Sequence, residues 1–225
     1  MNPDLLYEDN HVLALNKPFG MPSQGDETGD LNAFDWIKEY IRVQYQKPGN
    51  VYLALLHRLD RPAGGILLMA KTSKAAARLS EDFQQRRIRK RYLAVTERIP
   101  EPPAGELVHY VKKIADKNQV QAYRNPVHAA QLAQLIYEVR QTSGSRALVE
   151  VELITGRRHQ IRAQLGAIGC PICGDVKYGR TSFLPDQSIA LLARELTFTH
   201  PTTKQPVTVR APWPSGEVWS LWQEP

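Results

Sequence analysis

The 225-residue chain carries 29 Lys and Arg against 23 Asp and Glu, a net charge of +6, with 42% hydrophobic and 23% charged residues. That composition excludes a disordered or low-complexity chain, supplies enough apolar residues for a sizeable core, and favours a polyanionic partner. No apolar run approaches the roughly 18 residues a membrane span needs, and no basic leader precedes an apolar stretch at the N-terminus, so a cytoplasmic protein is expected.

Leu5 to Leu15 reads as short strands around an Asp9-Asn10 turn, with Pro18 and Gly20 punctuating the next stretch. With Asp30 as N-cap, Leu31, Phe34, Ile37 and Ile41 recur at helical spacing until Pro48-Gly49 stops the pattern. Val51 to Leu56 then predicts a strand leading into His57-Arg58-Leu59-Asp60-Arg61, after which Gly64-Gly65 opens a second apolar run ending at Lys71. Asp60 therefore stands in a strand–loop–strand corner between two arginines, a positively charged setting for an ionised carboxylate that can act as nucleophile or base. Taken alone, an Asp between two Arg is more often a solvated turn.

Thr72 or Ser73 caps a predicted helix through Ala75, Ala76, Ala77, Leu79 and Phe83, which runs into the basic cluster Arg86-Arg87-Ile88-Arg89-Lys90-Arg91. Further strands are predicted at Tyr92 to Val95, Leu107 to Val111, Val120 to Tyr123 and Leu135 to Val139. Ala147, Val149, Val151 and Leu153 alternate with Glu150 and Glu152 as in a half-exposed strand. Thr155-Gly156 ends it, and a helix beginning near Arg158 buries Ile161, Leu165 and Ile168 before Gly169. Arg157, Arg158 and Arg162 then lie in the loop and first turns, where backbone N–H groups also favour an anion. Strands at Ile189 to Leu192, Leu196 to Thr199 and Val207 to Arg210 close an α+β pattern on a mostly antiparallel sheet. The two cysteines of Cys170-Pro171-Ile172-Cys173 have the spacing of a redox pair or half a zinc site. No second pair completes a four-ligand site, so reduced cysteines in a turn and no bound metal are expected.

Four segments resemble, in the same order, the RluA family of pseudouridine synthases. They are Asn16-Lys17-Pro18-Phe19-Gly20, the block His57 to Lys71, Lys90-Arg91-Tyr92-Leu93-Ala94-Val95, and Thr155-Gly156-Arg157-Arg158-His159-Gln160-Ile161-Arg162. Phe198-Thr199-His200-Pro201 and Ala211-Pro212-Trp213-Pro214 extend the resemblance over nearly the whole chain. It implies a pseudouridine synthase fold, two sheet-containing halves flanking a central cleft, as a single catalytic domain over 1–225 without an N-terminal S4-like RNA-binding module. It also implies isomerisation of uridines in rRNA or tRNA to pseudouridine by a monomer without a cofactor.

By the same resemblance Asp60 is the catalytic aspartate, Arg162 the arginine that pairs with it, and Tyr92 the ring that stacks on the target base. Arg58 occupies the space left by the flipped nucleotide, and Lys71 closes the signature near the cleft. Arg86, Arg87, Arg89, Lys90 and Arg91 read as a phosphate-binding stripe, with Arg157 and Arg158 as further backbone contacts. Two segments depart from the family pattern. Ala63-Gly64-Gly65 stands where Thr-Ser-Gly is usual, and Leu191-Leu192-Ala193 where Leu-His-Ala is common. The alternative from another class is a non-catalytic RNA-binding protein or chaperone that keeps the fold; retention of Asp60, Tyr92 and Arg162 together favours the enzyme.

Overall fold

The computed structural model describes residues 2–115, 117–179 and 184–224. Along the chain run β1 (Leu5–Glu8), β2 (Val12–Lys17), α1 (Ala33–Gln44), β3 (Ala54–Leu55), β4 (Gly64–Ala70), α2 (Ser73–Gln84), β5 (Arg89–Thr96), β6 (Ala104–Lys113) and β7 (Val120–Tyr123). They are followed by β8 (Gln131–Ser143), β9 (Arg146–Leu153), α3 (Gln160–Ala167), β10 (Leu191–Thr199), β11 (Pro206–Arg210) and α4 (Glu217–Ser220). The chain resolves into two compact units, residues 1–89 with 193–212, and residues 90–192 with 213–225. Among the described residues no helix is long and apolar enough to cross a membrane.

In the first unit the strand order is β1-β2-β4-β10-β11, with β3 also on β4. β2 pairs antiparallel with β4 from Val12↔Ala70 to Lys17↔Gly65. All seven residues of β4, Gly-Gly-Ile-Leu-Leu-Met-Ala, are buried, as a continuous apolar run requires when both faces of a strand are covered. α1 contributes Ala33, Ile37 and Ile41 to this core, and α2 contributes Ala75, Ala76 and Leu79. Thr72 caps α2, its hydroxyl accepting from the Ala75 N–H at 3.3 Å.

α1 starts later than expected. Its N-cap is Asn32, which accepts from the Asp35 N–H at 3.0 Å, while Asp30 pairs with Arg61 and Leu31 is 61% exposed. The strand expected over Val51 to Leu56 shrinks to Ala54–Leu55, because Val51 and Leu53 are buried without joining a ladder.

In the second unit the order is β5-β9-β8-β6-β7, antiparallel throughout. α3 packs Ala163 with Val111, Val120 and Ala133. Its end matches expectation: Gly169 has φ +78°, and the Cys170 N–H bonds back to the Leu165 carbonyl at 3.0 Å. The two strands expected at Ile189 to Leu192 and Leu196 to Thr199 are joined into the single β10.

Candidate active site

Asp60 lies half-buried in the connection from β3 to β4, and that connection is held from several sides. The Asp60 carbonyl accepts from the Ala63 N–H at 3.0 Å, closing a turn around Arg61 and Pro62. The Ser23 hydroxyl donates to the Leu59 carbonyl at 2.8 Å and accepts from the Leu59 N–H at 3.0 Å, so one side chain satisfies both backbone groups of Asp60's neighbour. His57 accepts at Nε2 from the Leu68 N–H at 3.0 Å and stacks on Phe83 with ring centroids 5.1 Å apart. These contacts fix the corner against β4 and α2.

Lys17 is the principal residue of this corner that motif reading did not assign. It ends β2 only 1% exposed, and its ammonium donates to the carbonyls of Pro18 at 2.9 Å, Met21 at 2.7 Å and Arg61 at 3.4 Å. Burial pulls its pKa down to about 7, opposed by the nearby negative charge of Asp60 and reinforced by the positive charge of Arg61. The charge near Asp60 therefore differs from the sequence expectation. Arg61 turns its guanidinium to Asp30, to Asp26 at 3.8 Å and to the Gly20 carbonyl at 3.1 Å. Arg58 is exposed.

The glycine pair is explained by packing. A Cβ on Gly64 would come within 2.8 Å of the Phe19 ring, and Gly65, at φ +102°, would drive one into the backbone of Ala193, 2.8 Å from its nitrogen. Phe19 thus occupies the space a side chain at position 64 would need. The corner that lacks two hydroxyls is tied instead by Ser23 and Lys17.

In the second unit Tyr92 is 9% exposed on β5, opposite Val151 of β9. Arg162 is 3% exposed in the first turn of α3, where Nε donates to Asp175 Oδ2 at 2.7 Å and Nη2 to Oδ1 at 2.9 Å. Its guanidinium also lies over the Tyr178 ring, 5.2 Å from the centroid. A two-point ion pair of this kind holds the planar guanidinium in one orientation. Asp175 was not predicted as a site residue. Its only signal was its place after Gly174 in the turn that follows the cysteines.

The start of α3 is unusual. His159 adopts a left-handed conformation with φ 50° and provides no side-chain cap. Gln160 ties this turn instead. Its carboxamide oxygen accepts from the Thr155 hydroxyl at 2.8 Å and the Arg157 N–H at 2.9 Å, while its nitrogen donates to the Gln134 carbonyl at 3.0 Å. His159 Nδ1 lies 2.8 Å from the Tyr178 hydroxyl.

The basic run does not form one stripe. Arg86 sits exposed at φ 59° in the turn after α2, and Arg87 pairs with Asp82 at 2.6 Å and Glu81 at 3.5 Å. From Arg89 onward the run is a β-strand, whose period of two sends neighbours to opposite faces. Arg89 is exposed, Arg91 is half-buried near Glu150 at 3.8 Å and Glu152 at 3.6 Å, and Lys90 is buried at 9% exposure. Arg158 is exposed and bonds Asn118, whereas Arg157 spends its Nε–H on the Leu132 carbonyl at 3.0 Å.

Lys71 also departs from expectation. The rise of a strand, about 3.3 Å per residue, carries it roughly 20 Å along β4 from the end that adjoins Asp60. There its ammonium pairs with Glu8 at 2.6 Å and lies over the Tyr45 ring at 4.8 Å, a structural ion pair rather than a cleft residue.

Cys170 and Cys173 are free and buried. Burial raises both thiols, Cys173 to about 12, which keeps them from the thiolate form a nucleophile or metal ligand needs. Among the described residues no group of three or more His, Cys, Asp or Glu is arranged to hold a metal ion.

A family model described as RNA pseudouridylate synthase matches residues 11–167. The chain is 35% identical to a protein named tRNA pseudouridine synthase C from Haemophilus ducreyi, over 94% of this chain and 91% of that one. It is 30% identical to a protein named ribosomal large subunit pseudouridine synthase C from Escherichia coli K12, over 94% of this chain and 67% of that one. Among solved structures, human RNA pseudouridylate synthase domain containing 4 superposes with a TM-score of 0.78 at 26% identity, covering 93% of this chain and 88% of that one.

Proposed function

The chain belongs to the RNA pseudouridylate synthase family, in its RluA-type branch, and on that premise we propose that it isomerises a uridine of tRNA with Asp60 as the catalytic carboxylate. The enzyme class is an RNA pseudouridine synthase, which exchanges the C1′–N1 bond for a C1′–C5 bond. The exchange is redox-neutral and balances without a co-reactant. What it demands of the protein is an ionised carboxylate beside the sugar, an aromatic face for the uracil while it turns, and a means of extracting the nucleotide from its stack.

The observation that carries the reading is the clamped corner at Asp60. The Ser23 hydroxyl, the Lys17 ammonium and the Ala63 turn hold this backbone while its carboxylate stays half-buried, as a group must be held to meet one sugar carbon repeatedly. In the proposed reaction Tyr92 stacks on the base, Arg162, held in one orientation by Asp175, binds the substrate, and exposed Arg58 fills the gap left by the flipped nucleotide. Arg86, Arg89 and Arg158 are exposed and serve as backbone contacts. The preference for tRNA rests on the relative that the chain matches over 91% of its length, against 67% of the ribosomal relative. We take the enzyme to act as a monomer in the cytoplasm.

The test is carbodiimide-dependent mapping of pseudouridine in tRNA and rRNA from cells with the gene deleted, restored, or restored as Asp60→Asn. The expected result is one tRNA site that vanishes on deletion and returns only with the intact gene. A site in rRNA would correct the substrate. Restoration by Asp60→Asn would remove Asp60 from the chemistry, and the absence of any responding site would favour an RNA-binding protein without turnover.

A further inference from the structure

Lys90 stands out from the basic run because β5 carries it inward. It shares a strand face with Tyr92, their Cα atoms about 7 Å apart at the usual strand rise, whereas Arg91 faces the other way toward Glu150 and Glu152. Only 9% of Lys90 is exposed, too little for a residue of a surface stripe. Its ammonium extends to where β9 gives way to the loop before α3: a methyl group added to Gly156 would stand 3.7 Å from Nζ. Gly156 is itself exposed, so the ammonium lies beneath a residue with no side chain to shield it.

We propose that Lys90 is a substrate-binding residue of the uracil site, its ammonium facing the negative charge that uracil acquires as the glycosidic bond breaks. The inference rests on the reading of Tyr92 as the residue that stacks on the base. When C1′–N1 breaks, the electron pair leaves with N1 and spreads to the O2 and O4 oxygens. The sugar is taken up through Asp60, either by a bond to C1′ or after loss of the C2′ proton. Lys90 stabilises the departing anion without giving up a proton; the pair then returns to C1′ from C5 as the bond to Asp60 breaks or C2′ regains its proton, and C5 loses its proton while N1 gains one. A cation in a site with little water is worth far more to such a charge than one on the surface.

The test is single-turnover kinetics of C1′–N1 bond cleavage by wild type, Lys90→Met and Lys90→Arg on the RNA assigned by mapping, made with uridine or with 5-fluorouridine, whose C5 has no proton to lose after cleavage, at the target position. The expected result for Lys90→Met is a rate lower by about a hundredfold on uridine, with the dissociation constant for RNA within about threefold and its salt dependence unchanged. Lys90→Arg recovers part of the rate. Because 5-fluorouracil is the better leaving group, the penalty shrinks several-fold on the second RNA, a change that a structural role at Gly156 would not produce. Equal penalties on the two RNAs overturn the proposal. So does a loss confined to affinity with a shallower salt dependence, which marks a phosphate contact. If Lys90→Met does not fold, Lys90→Arg carries the same comparison of leaving groups. A wild type inactive on both RNAs refutes the proposed function rather than the role of Lys90.

Discussion

Each unit buries a large cation that the chemistry of its neighbourhood must neutralise, Lys17 in the first and Arg162 in the second, and the two are neutralised in opposite ways. Among the described residues the Lys17 ammonium donates to backbone carbonyls, those of Pro18, Met21 and Arg61, and burial brings its pKa to about 7 against the nearby charge of Asp60. Arg162 meets a full carboxylate, that of Asp175, through two hydrogen bonds. Carbonyl dipoles satisfy the geometry of an ammonium but do not supply a counter-charge, so burial is felt as easier loss of the proton. A guanidinium does not deprotonate in a protein, and its burial is offset instead by a fixed partner. The first arrangement leaves a group that titrates near neutrality beside Asp60, and the second gives a charge independent of pH.

The sharpest way to break this comparison is Asp175→Ala. It strips a carboxylate from a buried guanidinium and is expected to cost about 3–5 kcal/mol, seen as a lower denaturant midpoint with activity lost in parallel. A shift under about 1 kcal/mol would mean that Arg162 is neutralised without Asp175. Next is Lys17→Met, which keeps the apolar stem but leaves buried carbonyls without their donor; about 1–3 kcal/mol of stability and a large part of turnover should go.

The third prediction concerns pH. The unfolded chain holds the lysine proton up to roughly pH 10.4, whereas folded Lys17 releases it near 7. Between these values the unfolded state binds more protons, so stability from this group rises with pH, by at most about 1.4 kcal/mol per unit. Denaturation from pH 6.5 to 8.5 should therefore show a rise in wild type that Lys17→Met lacks. Parallel curves would mean that Lys17 stays protonated. The smallest effect is expected of Ser23→Ala, about 1 kcal/mol, since water can replace part of what the hydroxyl gives Leu59. Its turnover should fall by more than its stability suggests if the corner positions Asp60.

Local signals made much of the fold legible. Val120 to Tyr123 is a strand with the expected ends, and the Thr72 cap was visible because a hydroxyl before an alanine-rich run has few other uses. The Asp30 cap failed because the structure spends Asp30 on Arg61, a partner that only the fold brings near, and Asn32 caps the helix instead. The basic run misled for a related reason. Six residues give a charge density but not a face, and the alternation that buries Lys90 follows only once β5 is known to pair with β9. Asp175, thirteen residues beyond Arg162, shares no periodicity with it; the pair exists because α3 is followed by a turn that brings the chain back. Lys17 was visible as part of a motif, but its three carbonyl partners come from two separate loops.

The close approach of Gly65 to Ala193 has a consequence for how the polypeptide matures. The first unit is discontinuous: residues 1–89 are completed by 193–212, and β10 lies beside β4 there. During synthesis the whole of 90–192 leaves the ribosome before the last strands of the first unit exist, so β4 must wait with one edge unpaired. At about 5–20 residues per second that wait lasts roughly 5–20 seconds, long enough for chaperones to bind an apolar strand. Residues 90–192 can begin to fold during that interval, although their own unit is completed only when residues 213–225 follow. A released chain ending at residue 192 should then be cleaved by protease in its N-terminal segment before residues 90–192 are cut.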